Sequence, residues 1–264
     1  MKTLHKHYHL FFNALVFFTR LPAPKGIEYS QQNSQLANRY LPWIGILIGC
    51  SSALSFVIAE HLFGVALAIL AAILTSILLT GALHEDGLAD CADGFGGGWE
   101  KPQILAIMKD SQLGSYGCIA LLLALGMKYI TLNNLANIAL TDITLIIILT
   151  HTLSRFSPLL LIYLDQYVRA DANSKARSMG RGISFGGLSF AALPVLIVLI
   201  LTAINSDIFS LTAVWITLVP AVLTALACRR YFLKRIGGYT GDCLGACQQL
   251  SELSIYLYLC WLIT

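Results

Sequence analysis

Beyond Leu41 the chain is a succession of apolar stretches, each separated from the next by a short polar loop. A helix crossing a bilayer needs about 20 mostly apolar residues, because every backbone amide in hydrocarbon must be satisfied within its own segment. Candidate spans cover residues 41–59, 62–82, 113–132, 143–164, 187–204, 211–228 and 250–263. The expected fold is all-α: a polytopic transmembrane helical bundle of about seven spans, with six to eight compatible with the pattern. Composition agrees. The 264 residues are 57% hydrophobic and 12% charged, whereas a soluble domain is about a quarter charged. No linker or internal repeat divides the chain, so residues 1–264 read as a single integral membrane domain.

The N-terminus is basic and rich in histidine, and its apolar run from Leu10 to Phe18 is short and interrupted by Asn13. An interfacial helix is expected there rather than a cleavable signal peptide. Lysines and arginines fix the orientation. They precede the first span (Arg20, Lys25, Arg39) and follow the second (Lys101, Lys109), the fourth (Arg169, Lys175, Arg177, Arg181) and the sixth (Arg229, Arg230, Lys234, Arg235). The alternate loops contain none, and only Lys128 and Arg155 fall inside spans. This asymmetry puts the N-terminus and the polar motifs on the cytoplasmic side of the lipid bilayer. A net charge of +3 with no basic stripe gives no reason to expect a nucleic acid partner. The seven cysteines show no paired spacing and read as small, reduced residues of a bundle.

The segment His84-Glu85-Asp86-Gly87-Leu88-Ala89-Asp90-Cys91-Ala92-Asp93-Gly94 places four carboxylates in nine residues, directly after a long apolar stretch. Charge concentrated beside a membrane is costly unless a cation or substrate compensates it. If the second span continues as a helix, Asp86, Asp90 and Asp93 fall within roughly 60° of one another. Three carboxylates on one stripe call for a divalent ion, and oxygen-only ligands favour Mg²⁺, Mn²⁺ or Ca²⁺. Gly87 and Gly94 on the flank would let a diphosphate approach the backbone. Gly96, Gly97 and Gly98 could turn the chain and present bare N–H groups to phosphate. His84 reads equally as a catalytic group or as a histidine satisfied by a carbonyl.

Two further polar islands accompany this one. Lys109 and Asp110 open the third span as a cation and a fourth acid facing the metal, unless Asp110 or Ser111 caps the helix. Arg155, inside the fourth span, pairs with a diphosphate or snorkels to the interface. The stretch from Lys234 through Gly241 and Asp242 to Ala246 suits a phosphate loop, although its small residues also suit helix packing. Arg177 and Arg181 are candidates for holding an anionic substrate, or simply set the topology. His5, His7 and His9 resemble a metal tract, but interfacial histidines are commoner.

Together these residues resemble the cobalamin synthases, or adenosylcobinamide-GDP ribazoletransferases. The matching stretches are Phe17-Phe18-Thr19-Arg20-Leu21-Pro22, the glycine-rich acidic block 84–98, Ile107 to Gly117, Ser154-Arg155, and 237–246, in the family's order. The family carries an apolar residue where Glu85 stands, which sets Glu85 apart from the three aspartates. The resemblance implies a bacterial inner-membrane enzyme facing the cytoplasm. It would join adenosylcobinamide-GDP to alpha-ribazole, or to alpha-ribazole 5'-phosphate, release GMP, and use Mg²⁺ as cofactor. Self-association into a homo-oligomer is compatible with such a chain.

On that reading Asp86, Asp90 and Asp93 hold the metal, and a ribose hydroxyl attacks the phosphorus that stays with the corrinoid. Asp93 or Asp110 takes its proton, while Lys109 and Arg155 stabilise the transferring oxygens. Two other classes compete. A CDP-alcohol phosphotransferase acting on a lipid alcohol shares the Asp90-Cys91-Ala92-Asp93-Gly94 core, but its Ala-Arg pair and later acids do not follow here. A secondary transporter would place its acids nearer the bilayer midplane.

Overall fold

The computed structural model describes residues 2–138, 140–168 and 182–263. Among them helices are the regular secondary structure, joined by loops and turns, and the one bridge is a parallel pairing of Tyr167 with Tyr239. The helices are α1 (Lys2–Phe18), α2 (Gln31–Ala37), α3 (Leu41–Phe63), α4 (Val65–Thr80), α5 (Leu83–Gly97), α6 (Lys101–Ile107), α7 (Ser115–Ile138), α8 (Ile143–Ser154), α9 (Ser157–Leu164), α10 (Phe185–Asn205), α11 (Leu211–Ile216), α12 (Leu218–Ile236) and α13 (Gly241–Ile263). A 3₁₀ turn, Asn38–Tyr40, joins α2 to α3.

Among the described residues five segments are long and apolar enough to cross a membrane: Gln32–Phe63, Ser115–Ile138, Ile143–Leu164, Phe185–Asn205 and Leu211–Ile236. A sixth appears if α4 and α5 count as one bent span. The expected seventh, within α13, falls outside this set because Gln248, Gln249 and Glu252 interrupt its apolar run. Leu54, Leu62, Leu74, Leu78, Leu122 and Leu201 are each more than half exposed. An apolar exterior of this kind is one that lipid, not water, solvates. The apolar run of α1 is not laid on the outside. Leu10, Ala14, Leu15 and Phe18 are buried in the same core as Tyr40 and Ile44.

Close helix contacts set the frame. On α3, a Cβ at Gly45 would lie 2.6 Å from the His151 carbonyl oxygen, and one at Gly49 would lie 2.8 Å from Ile148 Cα. α3 and α8 therefore pack backbone to backbone. The acidic segment is helical as expected, but it does not continue the preceding span. α5 leaves α4 at 86°. The bend is made by Gly81 (φ 64°) and Ala82 (φ 60°), two consecutive left-handed residues. At Ala82 this costs about 1 kcal/mol or more. Arg20 packs against Gly81, and its backbone N–H donates to the Leu79 carbonyl at 2.7 Å, closing the C-terminal end of α4.

Candidate active site

α5 and α13 meet at two glycines. A Cβ on Gly87 would lie 2.9 Å from the Asp242 carbonyl oxygen, and one on Gly245 would lie 3.1 Å from the His84 carbonyl oxygen. Side chains would hold these backbones apart, so the glycines are required for the approach. The crossing opens into a cavity of about 150 Å³. Asp86 and His84 line it from α5, and Gly241, Asp242 and Gly245 from the first turns of α13. Phe17, Phe18, Leu41 and Ile162 supply apolar wall, and Asn38 and Tyr167 further polar groups. Thr240 Oγ1 accepts from the Cys243 amide at 3.3 Å and so caps α13. The remaining first-turn amides of a 23-residue helix form a region of positive potential beside the cavity.

The three aspartates of the acidic stripe have different surroundings. Asp86 is exposed and Asp90 half-buried one turn on, while Asp93 is buried. Both Asp93 oxygens are engaged, Oδ2 accepting from Gly114 N and Oδ1 from Gly117 N, each at 2.8 Å. Asp93 thus caps α7 from another helix. The two glycines are needed because a Cβ at either would collide with the carboxylate. Among the described residues no group of three His, Cys, Asp or Glu side chains gathers in metal-binding geometry. Asp110, expected either as a fourth acid or as a cap, is exposed, and its Oδ1 accepts from Gln112 N at 3.0 Å in the turn before α7. Lys109 is exposed in the same loop.

The glycines of the acidic block serve packing. At Gly94 a Cβ would meet Met108 Cγ at 2.5 Å, and at Gly96 the Tyr116 ring at 2.6 Å. Neither Gly87 nor Gly94 leaves room for a diphosphate. Gly96 and Gly97 lie in the last turn of α5, where amides are bonded within the helix and carbonyls point out, the electronegative end. Arg235 closes that end, donating from Nη2 to the carbonyls of Phe95 (3.2 Å) and Gly98 (2.6 Å). The bare-amide phosphate cradle expected at Gly96 and Gly97 is therefore not formed. The opening turn of α13 provides such amides instead. Arg177 and Arg181 lie outside the described residues. The N-terminal histidines are built into packing: His7 bonds the Tyr40 hydroxyl, and His9 Nδ1 accepts from Glu28 N at 3.1 Å.

Residues 10–260 match the family model described as Cobalamin-5-phosphate synthase. The chain belongs to that family. A relative from Shewanella amazonensis, named adenosylcobinamide-GDP ribazoletransferase, is 40% identical over 98% of this chain and 97% of its own length. One of the same name from Shewanella piezotolerans is 41% identical over 98% and 97%. No solved structure matches.

This cobalamin-5-phosphate synthase family member also contains a polar network that the motifs did not reveal. Lys128 on α7 lies 2.9 Å from Glu252 on α13, each side chain 2% exposed. Lys128 Nζ also donates to Gln249 Oε1 at 3.1 Å. Gln249 donates to Glu85 Oε1 at 3.0 Å, and Gln248 to Glu252 at 2.8 Å and to Ser154 at 3.0 Å. Arg155, expected at the diphosphate, is buried here, with Nη1 donating to the His151 carbonyl at 3.0 Å. It does not line the cavity. Glu85, set apart by the family resemblance, is the member that ties α5 to this cluster. The available signal was Lys128 and Glu252, opposite charges in mid-helix positions of apolar segments.

Proposed function

We propose that this membrane transferase moves the cobinamide-phosphate moiety of adenosylcobinamide-GDP onto alpha-ribazole, or alpha-ribazole 5'-phosphate, and releases GMP. The observation that carries the reading is the pair Asp86 and Asp242, drawn from two helices to one cavity beside the N-terminus of α13. A diphosphate finds helix amides there, and an attacking hydroxyl finds carboxylates. The names and full-length similarity of the relatives support the substrates.

Mg²⁺ is the proposed cofactor, and the donor chemistry fits it. The acids at the crossing offer oxygen alone, and this ion is commonly held by one or two carboxylates plus substrate phosphates. Asp86, in the cavity wall, and Asp90, one turn further along α5, would hold it, and Asp242 lines the same cavity as Asp86. When bound, it neutralises charge on the diphosphate. The acceptor's ribose hydroxyl forms the new P–O bond as the bond to GMP breaks. Asp242 takes the hydroxyl proton, since both Asp93 oxygens are occupied by amides and Asp110 lies in an exposed turn. Asp93 acts by fixing α7 against α5. The basic residues at the cavity end of the bundle, Arg20, Arg39, Arg229 and Arg235, support a site facing the cytoplasm from the bacterial inner membrane.

Purified protein in lipid, given adenosylcobinamide-GDP, alpha-ribazole and Mg²⁺, is expected to form GMP and a corrinoid product in equal amounts. CMP release from a CDP-alcohol instead, or substrate uptake into sealed liposomes without nucleotide release, would replace the proposal.

A further inference from the structure

We infer that a groove between α5, α12 and α13 seats an anionic phospholipid, with acyl chain in the groove and the phosphate on the cations at the end of α12. The inference goes beyond the transferase reading and stands whether or not that reading holds.

The groove holds about 480 Å³ and shares no lining residue with the Asp86 cavity. Leu88 and Phe95 line it from α5, Ala227, Tyr231 and Phe232 from α12, and Leu250 from α13. None of the described side chains in its wall is charged. Leu88 and Phe232 are buried in it, while Tyr231 and Leu250 are exposed at its rim. α12 belongs to a segment long and apolar enough to cross a membrane, and Leu223, one turn before Ala227, is exposed on it. An apolar groove in the side of a spanning helix is filled by hydrocarbon, because water there would give up hydrogen bonds.

Apolar walls alone would accept any lipid, and the charges at one end choose among them. Ala227, Tyr231 and Lys234 stand at i, i+4 and i+7 on α12 and share a stripe, which puts Lys234 just beyond the groove. Lys234 and Arg230 are exposed. Arg235 is fixed at the same end. Its Cζ lies 5.5 Å from the Phe95 ring centroid and 5.6 Å from that of Tyr231, and both rings line the groove. Its bonds to the Tyr231 hydroxyl and the carbonyls of Phe95 and Gly98 use three of the five guanidinium N–H groups. A phosphate with chains attached meets both the cations and the apolar walls. A zwitterionic lipid brings its own cation to the same place. A second copy of this chain in a two-fold contact would set these cations against themselves.

The test counts lipids bound to the full-length protein in mild detergent by native mass spectrometry, with no substrate present. Phosphatidylglycerol is titrated beside phosphatidylcholine carrying the same acyl chains. Wild type is expected to bind its first phosphatidylglycerol at least about tenfold more tightly, since each cation near the surface favours an anionic lipid by about fivefold. Arg230→Gln combined with Lys234→Gln, at two exposed positions, should lower that preference at least about fivefold and leave phosphatidylcholine binding unchanged. Ala227→Trp, which fills the groove, should weaken the first phosphatidylglycerol at least about tenfold. Glycerol 3-phosphate, which has the charge without the chains, should displace none of it. Equal binding of the two lipids by wild type overturns the inference and needs no variant to fold. A preference unchanged in the charge variant, affinity unchanged in Ala227→Trp, or displacement by glycerol 3-phosphate overturns it as well. A wild-type dimer that Ala227→Trp dissociates would put a second copy in the groove and replace the lipid.

Discussion

Gly87 and Gly245 touch backbone to backbone: a Cβ on Gly245 would lie 3.3 Å from Gly87 Cα, and one on Gly87 would lie 3.2 Å from Gly245 Cα. This contact, between helices far apart in the chain, sets how far Asp86 stands from Asp242. It makes the crossing a geometric control on the chemistry.

Gly87→Ala is therefore expected to act on turnover more than on folding. The new methyl meets the Asp242 backbone, which cannot rotate away as a side chain would. Overpacking of this kind costs about 1–3 kcal/mol, while displacing a reacting group by about 1 Å costs about 100-fold in rate. GMP release measured beside the thermal midpoint separates the two effects. Gly126→Ala, on α7 with nothing within 4 Å of the new Cβ, is the control and should change neither. Equal losses in both variants would refute the crossing's role.

Asp93→Ala should loosen α7. It removes the acceptor for the Gly114 and Gly117 amides, and the loss of such a cap costs about 1–2 kcal/mol. Asp93→Asn keeps one acceptor oxygen and should retain about half of that stability. Amide exchange at the start of α7 would report the loss directly. Unchanged protection in Asp93→Ala would mean that Asp93 is not the cap.

These two positions show how far the sequence can be read. The stripe of Asp86, Asp90 and Asp93 was legible because residues at i, i+4 and i+7 share a helix face whatever the tertiary structure. Membrane-length helices were legible for the same local reason. The partnership of Asp86 with Asp242 was not, because it depends on a crossing that two isolated glycines permit and no local pattern announces. The glycine run at 96–98 misled for a definite reason. Glycines offer amides to phosphate at the start of a helix and carbonyls at its end, and only the observed boundary, with α5 running through Gly97, tells which applies. Arg155 carried the right signal, an expensive buried cation, but its protein partners sit in the bundle, on His151 and beside Glu252, and it does not line the cavity.

Chelation separates the metal proposal from the acids' structural roles. EDTA treatment should abolish GMP release, and Mg²⁺ should restore it fully. Asp90→Asn should lower turnover by about 100-fold or more with the protein still folded in membranes. Asp86→Asn should raise the Mg²⁺ concentration for half-maximal rate by about tenfold or more. Wild-type GMP release from Asp90→Asn, or activity indifferent to EDTA, would remove the metal from the mechanism.

The Lys128–Glu252 pair gives a prediction independent of catalysis. Each charge is buried in an apolar bundle, and removing one partner leaves the other uncompensated, a loss of about 3–5 kcal/mol. Lys128→Met should therefore unfold at a markedly lower temperature than wild type. Lys128→Met combined with Glu252→Gln should recover much of the difference. The double variant removes one charge of each sign, the glutamine can still bond Gln248, and Arg155 and Glu85 remain to balance each other. A double-mutant cycle on thermal midpoints in one detergent measures the coupling. Strictly additive losses would mean that the two charges are stabilised separately, and that the short contact between them contributes nothing to holding α7 against α13.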